Sequence, residues 1–448
     1  MKKTITFLTS LVFVFTVNAQ SLFEEATTDN NKDAPEKLSF NGFVRGSAFG
    51  NAGDYQLSSA FAEISLQNQL SYGKAFLKSD IRLREGMFFG EEKFVIQPKE
   101  LYAGFSSSNF DAFFGYQIIN WGRTDGFNTT NNITPNDYFF LTSEPDDQKE
   151  SNLMLRFKYR FTPLIDLEAI GIPFYKASTY RFDLFSMGEN VSFANNVIPE
   201  RMLKNGSMAF RLNFDLPAIG FSLSYFDGYD PFHGYDVQNI DWSTGVPVIT
   251  NVSVPYRKST YGLDFSIPAG NFIFRGEGAF NLTENPDDKM YIPASDVSYV
   301  AGIETQISGF SVIGQYIGKY IPDFTELSVP VLTDPLNQIA QMLYASDQII
   351  YESRLFNRRI FNQQEEFNHA VSLTLLRSFG YDAWTTECSA YYNFTSGDLL
   401  IRPKLRWKIS DALSAALGGN YMKGKENSLF TYTSGILSGV FAEMKVSF

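Results

Sequence analysis

The chain has 448 residues, with 37 Lys plus Arg against 49 Asp plus Glu and a formal net charge of −12. Aromatic residues reach 16% and charged residues only 19%, which argues against intrinsic disorder. A single cysteine (Cys388) excludes an intrachain disulfide framework, two histidines exclude a three-histidine metal site, and the acidic balance argues against nucleic-acid binding.

Residues 1–19 carry Lys2 and Lys3, an apolar run over 5–17 and small residues at the end. This is the pattern of a secretory signal peptide cleaved after Ala19. No cysteine follows the run, so a lipid anchor is not expected. Residues 20–37 are polar and mildly acidic and read as a flexible periplasmic lead-in. Beyond them no stretch approaches 18 apolar residues, which excludes a helical membrane protein. A soluble periplasmic protein or an outer-membrane barrel remains.

From Leu38 the chain alternates apolar and polar residues with period two, the signal of strands with two unlike faces. Leu153, Leu155, Phe157, Tyr159 and Phe161 share one face, and Met154, Arg156, Lys158 and Arg160 the other. The pattern predicts strands over 38–49, 60–72, 74–86, 96–106, 110–119, 151–161, 164–174, 205–216, 218–228, 256–267, 271–282, 295–307, 309–320, 366–379, 382–394, 398–409, 412–423 and 435–448. Short connections alternate with longer ones near 50–59, 87–95, 120–150, 175–204, 229–255, 283–294, 321–365 and 424–434, with one short exception at 395–397. Tight turns at one end and long loops at the other predict an all-β fold, a transmembrane antiparallel up-and-down barrel of about 18 strands, with 16 the alternative. No linker interrupts 38–448, which reads as one domain. Such strands show lipid only every second side chain, so a membrane protein can have a mean hydropathy of −0.15. Tyr159, Phe161, Phe265, Trp384 and Trp407 near strand ends suit the aromatic girdles.

The last strand, ending in Phe448, resembles the assembly signal of outer-membrane barrels. The stretch 114–127, reading FGYQIINWGRTDGF and continuing through Asn132, Pro135 and Asp137, is similar to a family of porin-like barrels distantly akin to alginate-export porins. Their shared pattern is a strand ending G-x-Q-x-x-x-W-G and a loop with N-x-x-x-P-x-D. The resemblance implies outer-membrane passage of a small or polymeric solute. The C-terminal resemblance also implies recognition by the barrel-assembly machinery through the strand ending at Phe448; outer-membrane lipids are expected against the apolar faces, and the acidic surplus left to the loops is expected to meet lipopolysaccharide through divalent ions.

Rows of charge on one strand face identify the lumen, because charge at bilayer depth is costly against lipid and tolerable against water. Lys78, Asp80, Arg82 and Arg84 form one row, Arg156, Lys158 and Arg160 a second, and Arg402, Lys404, Arg406 and Lys408 a third. Arg211, Arg275 and Glu387 belong to the same set of pore-lining candidates. Two readings stand: a basic constriction that attracts anions, or ladders in which these cations pair with Asp166, Glu168, Asp215, Asp264, Glu277, Glu304, Glu387 and Glu443. The 120–150 loop, opened by Trp121, Arg123 and Asp125, is either an inward-folded gate or a surface loop.

In 321–365, Asp334 as N-cap, Pro335, and Leu336, Ile339, Ala340 and Leu343 at helical spacing predict a helix that lids or plugs the pore. Asp227, Asp230 and Asp236 have oxygen ligands for a divalent ion but no EF-hand spacing, and turn chemistry accounts for them equally. No nucleophile motif accompanies His233 or His369, so no enzyme, cofactor or metal site is expected. The expected function is a passive porin. A lipid or hydrophobic-molecule exporter working with a periplasmic partner, and a closed structural or adhesin barrel, are the alternatives. Substrate and oligomeric state stay open.

Overall fold

The computed structural model describes residues 37–448 except 54–55, 186–189, 244 and 285. The segments expected as a signal peptide (1–19) and, up to residue 36, as a lead-in lie outside the described residues. Eighteen strands close into one antiparallel ring. They are β1 (Lys37–Asn51), β2 (Leu57–Tyr72), β3 (Ala75–Phe88), β4 (Glu91–Ser106), β5 (Phe110–Gln117), β6 (Asn152–Thr162), β7 (Ile165–Ile172), β9 (Ser207–Asp215), β10 (Gly220–Tyr229), β13 (Arg257–Ala269), β14 (Phe272–Thr283), β15 (Asp296–Ile307), β16 (Phe310–Tyr320), β17 (Phe367–Phe379), β18 (Trp384–Asn393), β19 (Leu399–Lys408), β20 (Leu413–Lys423) and β21 (Gly439–Ser447). Each segment expected from the alternation is one of these strands. Closure is made by β1 on β21, from Phe43↔Ser447 to Asn51↔Gly439. Closure matters physically because hydrocarbon cannot satisfy the N–H and C=O groups of an open sheet edge.

The loops depart from the expectation in several places. The connection expected over 87–95 shrinks to Phe89-Gly90, both at positive φ (51° and 82°), a two-residue turn whose twist suits a hairpin. The strands on either side lengthen into it. The long loops instead contain structure that alternation could not reveal. β8 (Val191–Phe193), β11 (Gly234–Asp241) and β12 (Val248–Val254) form a separate three-stranded sheet. Helix α1 (Gln338–Ile360) and the short α2 (Leu429–Leu437) lie above the ring. The latter occupies residues expected to be loop and the start of the last strand.

The start of α1 also differs from its expectation. Asn337 is the N-cap, accepting from Ile339 N at 2.9 Å, while Asp334 instead holds a preceding turn through Leu336 N at 3.0 Å. Leu336, Ile339 and Leu343 stay exposed; the packed residues are Phe356 and Ile360, at the other end. These join Phe139, Phe182, Phe185, Tyr235, Tyr256 and Phe361 in an aromatic cap cluster. Its buried His233 is kept neutral, pushed down to about 4 by burial.

Outward faces are apolar. Phe94, Phe157, Leu223, Leu263 and Val440 are all exposed there. Trp384 and Trp407 stack at 4.9 Å beside the short turns.

Candidate functional site

The ring interior is crossed by the segment between β5 and β6, residues 118–151. Its first anchor is apolar. Ile119, Trp121 and Ile133 are buried against Met154, Ile170, Ala209 and Phe226. Met154, Ile170 and Ala209 are inward-facing residues of β6, β7 and β9, so an otherwise polar lumen wall has an apolar seat for this loop. A second apolar anchor places Leu141 against Phe49 of β1 and Phe441 of β21. β7 and β9 stand six and seven strands round the ring of eighteen from β1, so the two anchors lie on different sides of the lumen with the loop between them.

Polar bonds fasten the same two ends. At the first, Trp121 Nε1 donates to Glu168 Oε2 at 3.3 Å. Glu277 of β14 accepts from the backbone N–H groups of Arg123 and Thr124, both at 2.7 Å, and from Thr124 Oγ1 at 2.6 Å. Arg123 bridges Asp264 and Asp215, each at 2.9 Å. Asp125 lies 3.7 Å from Arg275. Gly122 is required here: its φ is +103°, and a Cβ would stand 2.3 Å from Glu277 Oε1.

At the second end, Asp147 binds Arg45 at 2.5 Å and Arg82 at 2.8 Å. Fully buried Glu63 pairs with Arg45 at 2.7 Å and Arg84 at 2.6 Å. Ser143 Oγ donates to Glu443 at 2.8 Å, and Lys99 Nζ to the Asp147 carbonyl at 2.6 Å. Glu144 meets Arg406 and, at 3.6 Å, Lys404. Arg402 donates to the Thr142 carbonyl at 2.6 Å. Burial acts to raise the Asp147 carboxyl, but the Arg45 and Arg82 guanidiniums outweigh it and hold it well below the usual carboxylate range. Asp137, whose neighbour is Glu150 rather than an arginine pair, is pushed up by burial to about 6.

The remaining charge rows are paired along the wall. Lys78 meets Glu100 at 2.7 Å, and Arg82 meets Asp80 at 3.3 Å. Arg156 meets Glu168, Lys158 meets Asp166 at 3.2 Å, and Arg160 meets Asp111. Arg211 meets Asp264 at 3.3 Å, Arg275 meets Glu304 at 2.7 Å, and Lys404 meets Glu387 at 2.8 Å. Lys408 meets Asp411 at the short turn between β19 and β20. Apart from Arg402, whose partner is the Thr142 carbonyl, these candidate cations therefore stand beside carboxylates instead of forming a bare basic ring. Arg45, Glu63, Lys99, Glu144 and Asp147 are central to the arrangement and were not singled out from sequence. Arg45 and Glu63 could have been, since both stand at the inward register of charge-poor strands.

Asp227, Asp230 and Asp236 do not converge. Asp227 meets Arg257 at 2.6 Å, Asp230 meets Lys258 at 2.7 Å, and Asp236 holds the Val237 N–H at 3.0 Å. Among the described residues no cluster of three metal-binding side chains occurs.

One arc of the wall is different. Among the described residues, no hydrogen bond or ion pair from the loop reaches β15, β16 or β17. Inward residues there and on β18 are mostly small, hydroxylic or amide, with Ser372 bonded to Gln315 at 3.0 Å and Thr374 to Ser389 at 3.0 Å.

A closed antiparallel ring of eighteen strands, apolar outside and charged inside, has the architecture of an outer-membrane β-barrel. Neither the protein-family models nor the curated proteins contain a match to this chain. Solved structures do resemble it. Pseudomonas aeruginosa OccK5 (OpdH) has a TM-score of 0.53 at 10% identity, covering 92% of this chain and 97% of its own. Acinetobacter baumannii OccAB3 has a TM-score of 0.52 at 9% identity, covering 92% and 98%. Pseudomonas aeruginosa OccK2 (OpdF), solved in complex with glucuronate, has a TM-score of 0.52 at 8% identity, covering 92% and 97%. These are Occ outer-membrane porins, and at such identity the likeness establishes the shared 18-strand barrel fold.

Proposed function

We propose that the chain is an outer-membrane channel for passive passage of small polar solutes. The observation that carries this reading is the loop 118–151, anchored at both ends across the lumen of a closed 18-strand ring. A barrel of this size leaves an aqueous interior unless something narrows it. The loop narrows it on the charged side and leaves the β15–β17 arc as the permeation wall. That geometry favours small solutes over a bulky polymer. Paired lumen charges give a transverse field with little net sign, so orientation of a dipolar or carboxylated solute is favoured over simple anion attraction.

In this reading Lys78, Arg156, Arg402, Arg406 and their partners line the passage, with Trp121, Arg123 and Asp125 holding the loop. The outward belt contacts outer-membrane lipid, and the strand ending at Phe448 addresses the assembly machinery. Reconstitution in planar bilayers tests the proposal. Stepwise conductance is expected, and Ser372→Trp on the open arc is expected to reduce it at least twofold. A barrel that assembles but passes no current would overturn the channel reading. Removing Arg156, Arg402 and Arg406 together is expected to move the ion selectivity toward cations.

A further inference from the structure

We infer that the barrel wall carries a second, lateral site between β4 and β5, which binds a single-chain anionic amphiphile entering from the outer leaflet. It goes beyond the channel reading, because it takes a different ligand by a different route. The starting observation is a mismatch of strand lengths. β4 has 16 residues and β5 only eight, whereas a spanning strand needs about 9–11. After Gln117 the chain leaves the wall to form the inward loop, and the wall resumes at Asn152. The β4–β5 ladder runs only from Leu101↔Tyr116 to Ser106↔Asp111. Among the described residues no strand pairs with β4 from Glu91 to Glu100 on that side.

The loop closes the lower part of this gap, where Ser151 Oγ donates to the Pro98 carbonyl at 2.7 Å. Above it lies a cavity of about 540 Å³, within the size range of small-molecule sites. Its lining identifies it as a notch through the wall. Ile96 and Tyr116 are outward residues, Ile96 being 63% exposed on the lipid side. Arg84 and Val95, opposite one another across the β3–β4 ladder, face inward and line the same cavity. Because the pleat sends alternate side chains to opposite faces, a cavity lined by both sets passes from one face to the other.

The chemistry selects the occupant. Val95, Phe139 and Phe140 give the notch an apolar inner side, continuous through Ile96 with the lipid-facing surface. The free β4 edge presents backbone polar groups that hydrocarbon alone cannot satisfy. Four cations (Arg84, Lys93, Lys176 and Arg181) and three carboxylates (Asp137, Asp147 and Glu150) line the cavity, with Lys93 paired to Glu91 at 2.5 Å and Lys176 to Glu150 at 3.5 Å, so the lining has one positive charge in excess. An acyl chain with a carboxylate head meets all three demands, with its tail along the aromatic side and its head at the strand edge and ammonium groups.

The test uses the full barrel in phosphatidylcholine liposomes containing a fatty acid with a diazirine on its chain. After photolysis, adducts are mapped by mass spectrometry. Adducts on Val95, Phe139 or Phe140 are expected, competed by excess oleate. Adducts confined to outward belt residues such as Phe94 and Phe114, which any barrel would show, overturn the site. Val95→Trp fills the notch and is expected to lower inner adducts at least fivefold while belt adducts and solute conductance persist. Undiminished inner adducts also overturn the proposal. Should Val95→Trp fail to assemble, Val95→Cys alkylated with a bulky maleimide after assembly makes the same comparison.

Discussion

Replacing Asp147 by alanine tests whether the loop is the element that narrows the lumen. Asp147 lies in a cluster where Arg45, Arg82, Arg84 and Lys99 stand against Glu63, Asp80, Asp147 and Glu443, four cations to four carboxylates. Removing one partner of a buried ion pair costs about 3–5 kcal/mol, because the other charge stays desolvated. Here Arg45 keeps Glu63, so the lower end of that range applies. The loop is also held by Leu141, Ser143 and Glu144, so it loosens at this end without leaving the lumen. The wall meanwhile gains one net positive charge. A unit charge about 8 Å from a permeating ion, at an effective dielectric between 20 and 80, changes its energy by roughly 0.5–2 kcal/mol. Asp147→Ala should therefore give larger or flickering single-channel currents and a permeability ratio shifted at least twofold toward anions. Both are read from single-channel traces and reversal potentials in a salt gradient. Asp147→Asn, which keeps an acceptor, should show the selectivity shift with smaller current noise. Unchanged conductance, noise and reversal potential in Asp147→Ala would refute the assignment of this loop as the constriction.

Three further outcomes follow from the same geometry. Trp121→Ala empties the apolar seat of the loop at a cost of about 3–5 kcal/mol, and residues 118–134 should become cleavable by protease added to the folded barrel. Gly122→Ala combines a disfavoured backbone with the Glu277 contact, so about 2 kcal/mol or more of loop stability should be lost, read as a lower heat-modifiability temperature with the barrel still closed. The Asp137 carboxyl, raised in the docked loop from 3.8 to about 6, holds a proton there that an undocked loop would release. Docking should thus be strongest at and below pH 4 as far as this group is concerned and weaken as pH rises through 6, by about 1–2 kcal/mol after allowance for solvent contact. Asp147 acts in the opposite sense below its ordinary range, so protection of 135–150 from hydrogen exchange should peak near pH 4, and Asp137→Asn should flatten the limb between about pH 4 and 6.

The strand series was legible because a barrel wall repeats one local rule: lipid on one face and water on the other, with period two. Lys78, Asp80, Arg82 and Arg84 reveal their face from position alone, as do Arg156, Lys158 and Arg160. Loop interiors obey no such rule. The sheet β8–β11–β12 and the true N-cap at Asn337 follow from contacts among segments far apart in the chain. The turn at Phe89-Gly90 was hidden because Glu91, Glu92 and Lys93 read as loop, although they continue β4 in register with Gly86, Met87 and Phe88 of β3.

An all-β barrel with its charges turned inward is written in the alternation of the strands, since pleat periodicity and the cost of charge in lipid act residue by residue. Tertiary structure alone decided what those charges do. Arg45 and Asp147 stand 102 positions apart in the chain and 2.5 Å apart in space, and no periodicity within either segment encodes that meeting. It depends on where β5 stops, which sends the loop inward to cross the lumen and leaves the edge of β4 open in the wall.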